Sequence, residues 1–262
     1  MKRKIYFKGL PVLFFVFALI LNPGNSLAQG ITTYQYRHVA PDKMDEFVKR
    51  ETTYWSKVAR KAIDNGKLTF WALFVKVGAL DEQNSPNVIF VNTYPDIDEN
   101  MGDVWNPTKL FPGVPMNKIS TDEISTTTAL IFVKSGGWQQ IANANPEKDF
   151  KYVKMNYHNS TNPSSFNSIE VNNWGPFIKE AMDNKQTDQK AWGNALVLSP
   201  NGGQMKYNCL SYDLYANLND ALVENWSSGT KFPITGLDSL QKISLNPPIS
   251  FIYRIVKVES KN

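Results

Sequence analysis

The chain has 262 residues, with 28 Lys and Arg against 24 Asp and Glu, 42% hydrophobic residues and a single cysteine. Four of the basic residues, Lys2, Arg3, Lys4 and Lys8, fall within the first 28 positions, which hold no acid, so the remainder is formally neutral at 24 against 24. A neutral surface exerts no long-range pull on nucleic acid or anionic lipid, so neither is expected as a partner. The lone Cys209 excludes an internal disulfide and leaves stability to packing.

Residues 1–28 read as a secretory signal: a basic start, an apolar run over 10–21, and Ser26-Leu27-Ala28 as a small-x-small cleavage site. The apolar run is shorter than the roughly 20 residues that span a bilayer. The expected product is exported, periplasmic or extracellular, and free of the membrane once the signal is removed.

Residues 33–38 alternate aromatic and polar side chains and predict a strand. Pro41-Asp42 then opens a helix in which Phe47, Glu51, Trp55, Val58 and Ala62 recur at spacings of 4, 4, 3 and 4, one stripe of a helix that Asp64-Asn65-Gly66 ends. Two apolar strands follow at 69–77 and 87–94, separated by the turn-rich stretch 81–86. A short helix over 97–105, a Pro-rich loop and a strand at 126–134 complete the order βαββαβ.

That order returns. Glu51-x3-Trp55-x8-Asp64-Asn65 is repeated 119 residues later as Glu170-x3-Trp174-x8-Asp183-Asn184. Thr108-Lys109-Leu110-Phe111-Pro112 has a counterpart in Thr230-Lys231-Phe232-Pro233, and Asn117-Lys118-Ile119-Ser120 one in Gln241-Lys242-Ile243-Ser244. The second set comprises strands at 152–158, 191–198, 207–215 and 250–258, a long helix bearing Phe166, Glu170, Trp174, Phe177 and Ala181, and a short helix at 218–226. Gly175-Pro176 interrupts the second long helix and predicts a bend. The expected organisation is a signal at 1–28, a first repeat at 29–135, a linker at 136–148 marked by Gly136-Gly137 and Pro146, and a second repeat at 149–262.

The order βαββαβ is the ferredoxin-like pattern, an antiparallel sheet with both helices on one face. Consecutive apolar positions, as in Phe70-Trp71-Ala72-Leu73-Phe74-Val75, predict a sheet buried on both faces, which two facing sheets would achieve. The expected fold is α+β: two tandem ferredoxin-like units, their antiparallel sheets facing each other as an intramolecular pseudo-dimeric α/β barrel. This arrangement resembles the dimeric α/β-barrel superfamily of antibiotic-biosynthesis monooxygenases and of EthD-like and NIPSNAP-like proteins. The resemblance covers residues 31–259 in element order. It implies chemistry without metal or flavin in monooxygenase members and haem in others; no cofactor is expected here, with haem left open.

His38 and His158 are the only histidines, each ends the first strand of its repeat, and each is followed by a glutamate within an otherwise apolar helix stripe, Glu51 or Glu170. A carboxylate there must find a donor or line a polar cavity, and a His/Glu pair could move protons near neutral pH. The alternative is structural, with each Glu tying helix to strand. Trp55, Trp71, Trp174 and Trp192 fit an aromatic pocket for a flat or apolar molecule, and fit plain core packing as well. Lys109 and Lys231, beside aromatics in repeated loops, fit an anion at a cleft mouth. No zinc spacing, glycine-rich nucleotide loop or nucleophile elbow occurs, so no metal is expected. Cys209 lies in a strand and reads as a small buried hydrophobe. These features favour an exported binder of a small apolar or aromatic molecule, with a cofactor-independent oxygenase or isomerase and a protein-interaction module as alternatives.

Overall fold

A computed structural model describes residues 30–78, 85–102, 104–202 and 205–261. The expected signal segment lies outside them, as do residues 81–84 of the turn-rich stretch.

Eight antiparallel strands close into one barrel. They are β1 (Ile31–Val39), β2 (Phe70–Lys76), β3 (Val88–Tyr94), β4 (Ser125–Gln140), β5 (Tyr152–His158), β6 (Ala191–Ser199), β7 (Cys209–Tyr215) and β8 (Ile249–Ser260). Around the barrel the order is β1-β3-β2-β8-β5-β7-β6-β4. Residues 31–140 thus contribute β4-β1-β3-β2 and residues 152–260 contribute β8-β5-β7-β6, joined where β2 meets β8 and β4 meets β6.

The alternation of each strand divides its side chains between two environments. Tyr34, Tyr36, Ala72, Ile89, Val91 and Ile131 point inward and pack with Val153, Met155, Tyr157, Leu210 and Tyr253, a single core drawn from both halves of the chain. The outward residues Trp71, Leu73, Val88 and Phe90 meet the first long helix through Phe47, Ala59 and Ile63. Ile178, Met182 and Trp192 do the same for the second. Phe47 and Phe166 anchor the two helices fully buried, each burial contributing roughly 1.5–3 kcal/mol.

Both long helices contain a π-helical turn at the same place. The first runs Met44–Arg50, Glu51–Trp55 (π) and Ser56–Asp64; the second Pro163–Ile169, Glu170–Trp174 (π) and Gly175–Asp183. The amides of Ser56 and Gly175 reach back five residues to the carbonyls of Glu51 and Glu170. An α-helix turns every 3.6 residues, so side chains spaced 4 and 4 would drift around the axis. The wider turn holds Phe47, Glu51 and Trp55 on one line. The irregularity therefore follows the stripe spacing and not Gly175-Pro176, because it occurs equally where the first helix has Ser56-Lys57.

Two expectations are corrected. The short helices are only Ile97–Asn100 and Leu218–Leu222, each capped by a side chain, Asp96 or Asn217, and a further helix, Ile234–Ile243, fills a stretch for which no element was expected. β4 extends to Gln140 through glycines expected to belong to a linker. A Cβ at Gly136 would stand 2.4 Å from the side-chain oxygens of Asn167 and Asn194, while the Gly137 amide donates to Asn194 Oδ1 at 2.6 Å. The glycines mark a close approach between strand and helix, not a turn. Gly136→Ala is expected to lower stability by about 1–3 kcal/mol, read as a fall in urea midpoint at unchanged slope.

Candidate functional site

A cavity of about 350 Å³ lies between the first long helix and the outward face of β1 and β3. Its aromatic wall is Trp55, Trp71, Phe90, Tyr94 and Trp105. The indoles are fixed by their own N–H groups: Trp55 Nε1 donates to the Ile119 carbonyl at 3.0 Å and Trp105 Nε1 to Tyr94 Oη at 3.2 Å.

The polar groups on that wall come from β1, β3, the π turn and the loop at 121–122. Thr33, Gln35 and Arg37 alternate with the inward Tyr34 and Tyr36, so all three face the cavity. Glu51, 3% exposed, accepts from Thr121 Oγ1 at 2.6 Å. Burial pushes its carboxyl up to about 7, against the opposing pull of the Thr121 hydrogen bond and the Arg37 charge. Arg37 Nη1 reaches Thr121 Oγ1 at 3.3 Å and Ser125 Oγ at 3.1 Å, and its guanidinium lies 5.4 Å from the Phe90 ring centre. Arg37 Nε and Asn92 Oδ1 are buried without a hydrogen-bond partner. Leaving such a group unsatisfied costs roughly 1–3 kcal/mol.

The equivalent region of the second half carries a larger aromatic cluster. Trp174, Phe177, Trp226 and Phe232 pack ring to ring, with Phe177 and Trp226 stacked at 5.7 Å. Glu170, 5% exposed, accepts from Asn194 Nδ2 at 3.1 Å, and burial pushes its carboxyl up to about 8. Asp213 accepts from Asn156 and Gln189 at 2.8 Å each, and Lys154 pairs with Glu224. Among the buried polar atoms of this half, Asn167 Oδ1 is the described exception to full pairing.

Among the described hydrogen bonds none joins either expected His/Glu pair. Asn87 clasps the backbone of Val39 as Asn208 clasps that of Ser160, so the first strands correspond at 121 residues, whereas the histidines are 120 apart. One residue of slip reverses the face of a strand. His38 takes the barrel-side parity of Tyr34 and Tyr36, opposite Glu51, and its Nδ1 lies 2.9 Å from the Ser85 carbonyl. His158 corresponds to Arg37. Its ring packs on Phe166 at 4.8 Å, Nε2 meets Ser211 Oγ at 2.9 Å, and burial lowers it to about 4. Neither imidazole lines the cavity, so a haem placed there would meet no histidine ligand.

Of the other candidates, Trp55 and Trp71 line the cavity, Trp174 belongs to the aromatic cluster of the second half, and Trp192 is buried against Gly137 and Gly175. Lys109 is exposed away from the cavity, and Lys231 edges a surface hollow of about 220 Å³ with Phe177 and Glu180. Cys209 is buried and its thiol pushed up to about 12, which removes it as a nucleophile. Among the described residues no group of three or more His, Cys, Asp and Glu could hold a metal ion, and no helix is long and apolar enough to cross a membrane. Sequence reasoning missed Arg37, Asn92 and Thr121. The polar alternation of Thr33, Gln35 and Arg37 was the available signal for the first.

No family model and no curated protein sequence matches this chain. Solved structures do. An anthrone oxidase-like protein is similar at TM-score 0.54 and 12% identity, over 89% of this chain and 94% of that one. A candidate monooxygenase from Lactobacillus acidophilus is similar at 0.53 and 7%, over 88% and 96%. A candidate monooxygenase from Fusobacterium nucleatum is similar at 0.52 and 11%, over 90% and 96%. At these identities the likeness establishes the fold, an α+β protein with a closed eight-stranded barrel.

Proposed function

We propose that the chain binds a small aromatic molecule carrying an acidic hydrogen in the first-half cavity, where Glu51 receives the proton. The observation that carries this reading is the coincidence, in one cavity, of an aromatic wall, a buried carboxyl raised to about 7 and the Arg37 guanidinium. Ionised, Glu51 accepts a proton from a phenol, enol or activated methylene, and the neighbouring Arg37 stabilises the anion left behind.

Oxygenation is the chemistry this arrangement supports best, and the likeness to an anthrone oxidase-like protein points the same way. A methylene between two rings gives its proton to Glu51 and its electron pair to dioxygen. The resulting hydroperoxide collapses to a carbonyl and water, so that CH2 and O2 become C=O and H2O. Simple binding without turnover is the second reading, favoured by the aromatic wall of the cavity.

In the same proposal the chain is an exported tandem fusion of two ferredoxin-like units, 29–135 and 149–262, belonging to the dimeric α/β-barrel superfamily. The second unit serves as the scaffold that completes the barrel. Calorimetric titration with 2-naphthol and dioxygen consumption with anthrone, in buffer free of flavin and metal, test it. Binding with uptake supports the oxygenase, and binding alone supports the binder. Neither result with a folded protein overturns both.

A further inference from the structure

Among the described hydrogen bonds Glu51 takes one, from the hydroxyl of Thr121 to Oε1 at 2.6 Å, and both residues are 3% exposed at the wall of the cavity. The same Thr121 oxygen accepts from Arg37 Nη1 at 3.3 Å. A hydroxyl carries one hydrogen and two lone pairs, and a guanidinium can only donate. The hydrogen of Thr121 is therefore directed away from Arg37 and toward Glu51, and the chain Arg37–Thr121–Glu51 runs in one direction.

That direction has a chemical consequence at the carboxyl. An ionised carboxylate only accepts and completes the chain, whereas a protonated one offers a weaker acceptor or a second donor aimed at the first. Arg37 of β1 and Asp122 of the loop act on Glu51 with opposite sign, and they pair with each other at 3.4 Å. β2 brings the uncharged Trp71, Tyr94 of β3 accepts from Trp105, and Arg50 on the same helix donates to Glu46 and the Ser120 carbonyl. The second half dispenses with the loop hydroxyl. In the repeat that aligns Ser120 with Ser244, Thr121 falls on Leu245, 56% exposed, and Glu170 is met from β6 by Asn194 instead. A repeat can thus bury its glutamate and keep its helix without a donor on this loop, so the Thr121 bond is not a requirement of the fold unit.

We infer that Thr121 is a positioning residue that acts through Glu51: held by Arg37 as a donor only, its hydroxyl fixes Oε1 and favours the ionised carboxylate, which leaves Oε2 to take the proton of the ligand. This role rests on the reading of Glu51 as a proton acceptor and adds the group that sets its proton affinity. Thr121 need not touch the ligand to fill it.

The test is a carbon-13 NMR titration of the Glu51 carboxyl in the full chain without ligand, its signal assigned by its loss in Glu51→Gln, and repeated in Thr121→Ser and Thr121→Val. Loss of a charge-assisted hydrogen bond in Thr121→Val is expected to raise the midpoint by about one to two pH units. Thr121→Ser keeps the hydroxyl and is expected to stay within about half a unit of the wild type. Where anthrone is oxidised, the rise of kcat/KM with pH should move with the midpoint. An unmoved midpoint in Thr121→Val, or one that Thr121→Ser moves as far, overturns the role of Thr121. If Thr121→Val does not fold, the wild type decides. With Glu51 ionised at about pH 8.5, the Thr121 hydroxyl proton should exchange slowly and give a cross-peak to the Glu51 side chain, and its absence overturns the role. A shifted midpoint in a protein that oxidises no anthrone leaves Thr121 its role and removes the oxygenase reading alone.

Discussion

Glu51→Gln is expected to slow the proposed oxidation by roughly 10²- to 10⁴-fold, the usual contribution of a positioned general base, with the dissociation constant of 2-naphthol changed far less. The amide keeps the volume of the side chain and still accepts from Thr121, so the cavity and its aromatic wall persist. What it cannot do is take a proton. The pH profile provides the sharper criterion. The wild-type carboxyl titrates at about 7 because burial disfavours its charged form. Only the ionised form acts as base, so kcat/KM should rise about tenfold per pH unit below 7 and level off above it. The residual rate of Glu51→Gln should lack that rise. A wild-type profile that is flat between pH 5 and 8, or a variant that retains it, would remove Glu51 from the proton transfer.

Element order was legible in the sequence because two periodicities, 2 along strands and about 4 along the long helices, were written clearly in both halves. The stripe Phe47, Glu51, Trp55, Val58 and Ala62 placed the first helix and its buried carboxyl, and the offset repeats placed the second. The equivalence of the two histidines was misread for a physical reason. A match of residue type at 120 residues looks like equivalence, but the asparagine clasps fix the true offset at 121, and in a strand one residue exchanges barrel interior for helix-facing wall. The glycines at 136 and 137 misled in a similar way, since a glycine needed for close approach looks, in sequence, like one needed for a turn. Arg37 and Asn92 were hidden because each keeps one buried side-chain atom without a partner while another of its polar atoms is bonded. That absence depends on where loop and helix side chains arrive, which no local pattern records.

The second half should reveal itself through stability, not ligand binding. Glu170 is nearly as buried as Glu51, and its carboxyl is pushed up to about 8 by burial first and then by the Asp213 charge. In the unfolded chain it titrates near 4.5. Between those values the folded protein holds a proton that the unfolded chain has released, so its share of stability is present in full below pH 4.5 and is lost as pH rises through about 8. Glu51 acts in the same sense only up to about 7 and Asp213 up to about 6, while His158, lowered to about 4, acts in the opposite sense between 4 and 6.5. From pH 7 to 8 the slope attributable to these four groups is therefore that of Glu170, and stability should fall there by about 1 kcal/mol per pH unit. Glu170→Gln keeps an acceptor for Asn194 Nδ2 but never ionises. Relative to wild type it should match within about 1 kcal/mol at pH 5 and be more stable by roughly 3–5 kcal/mol at pH 8.5, measured as urea midpoints at constant slope. The same fall with pH in the variant as in the wild type would mean that Glu170 is not held protonated in the fold. The contrast separates the two buried glutamates by measurement: loss of Glu51 is read in turnover, and loss of Glu170 in the pH dependence of stability.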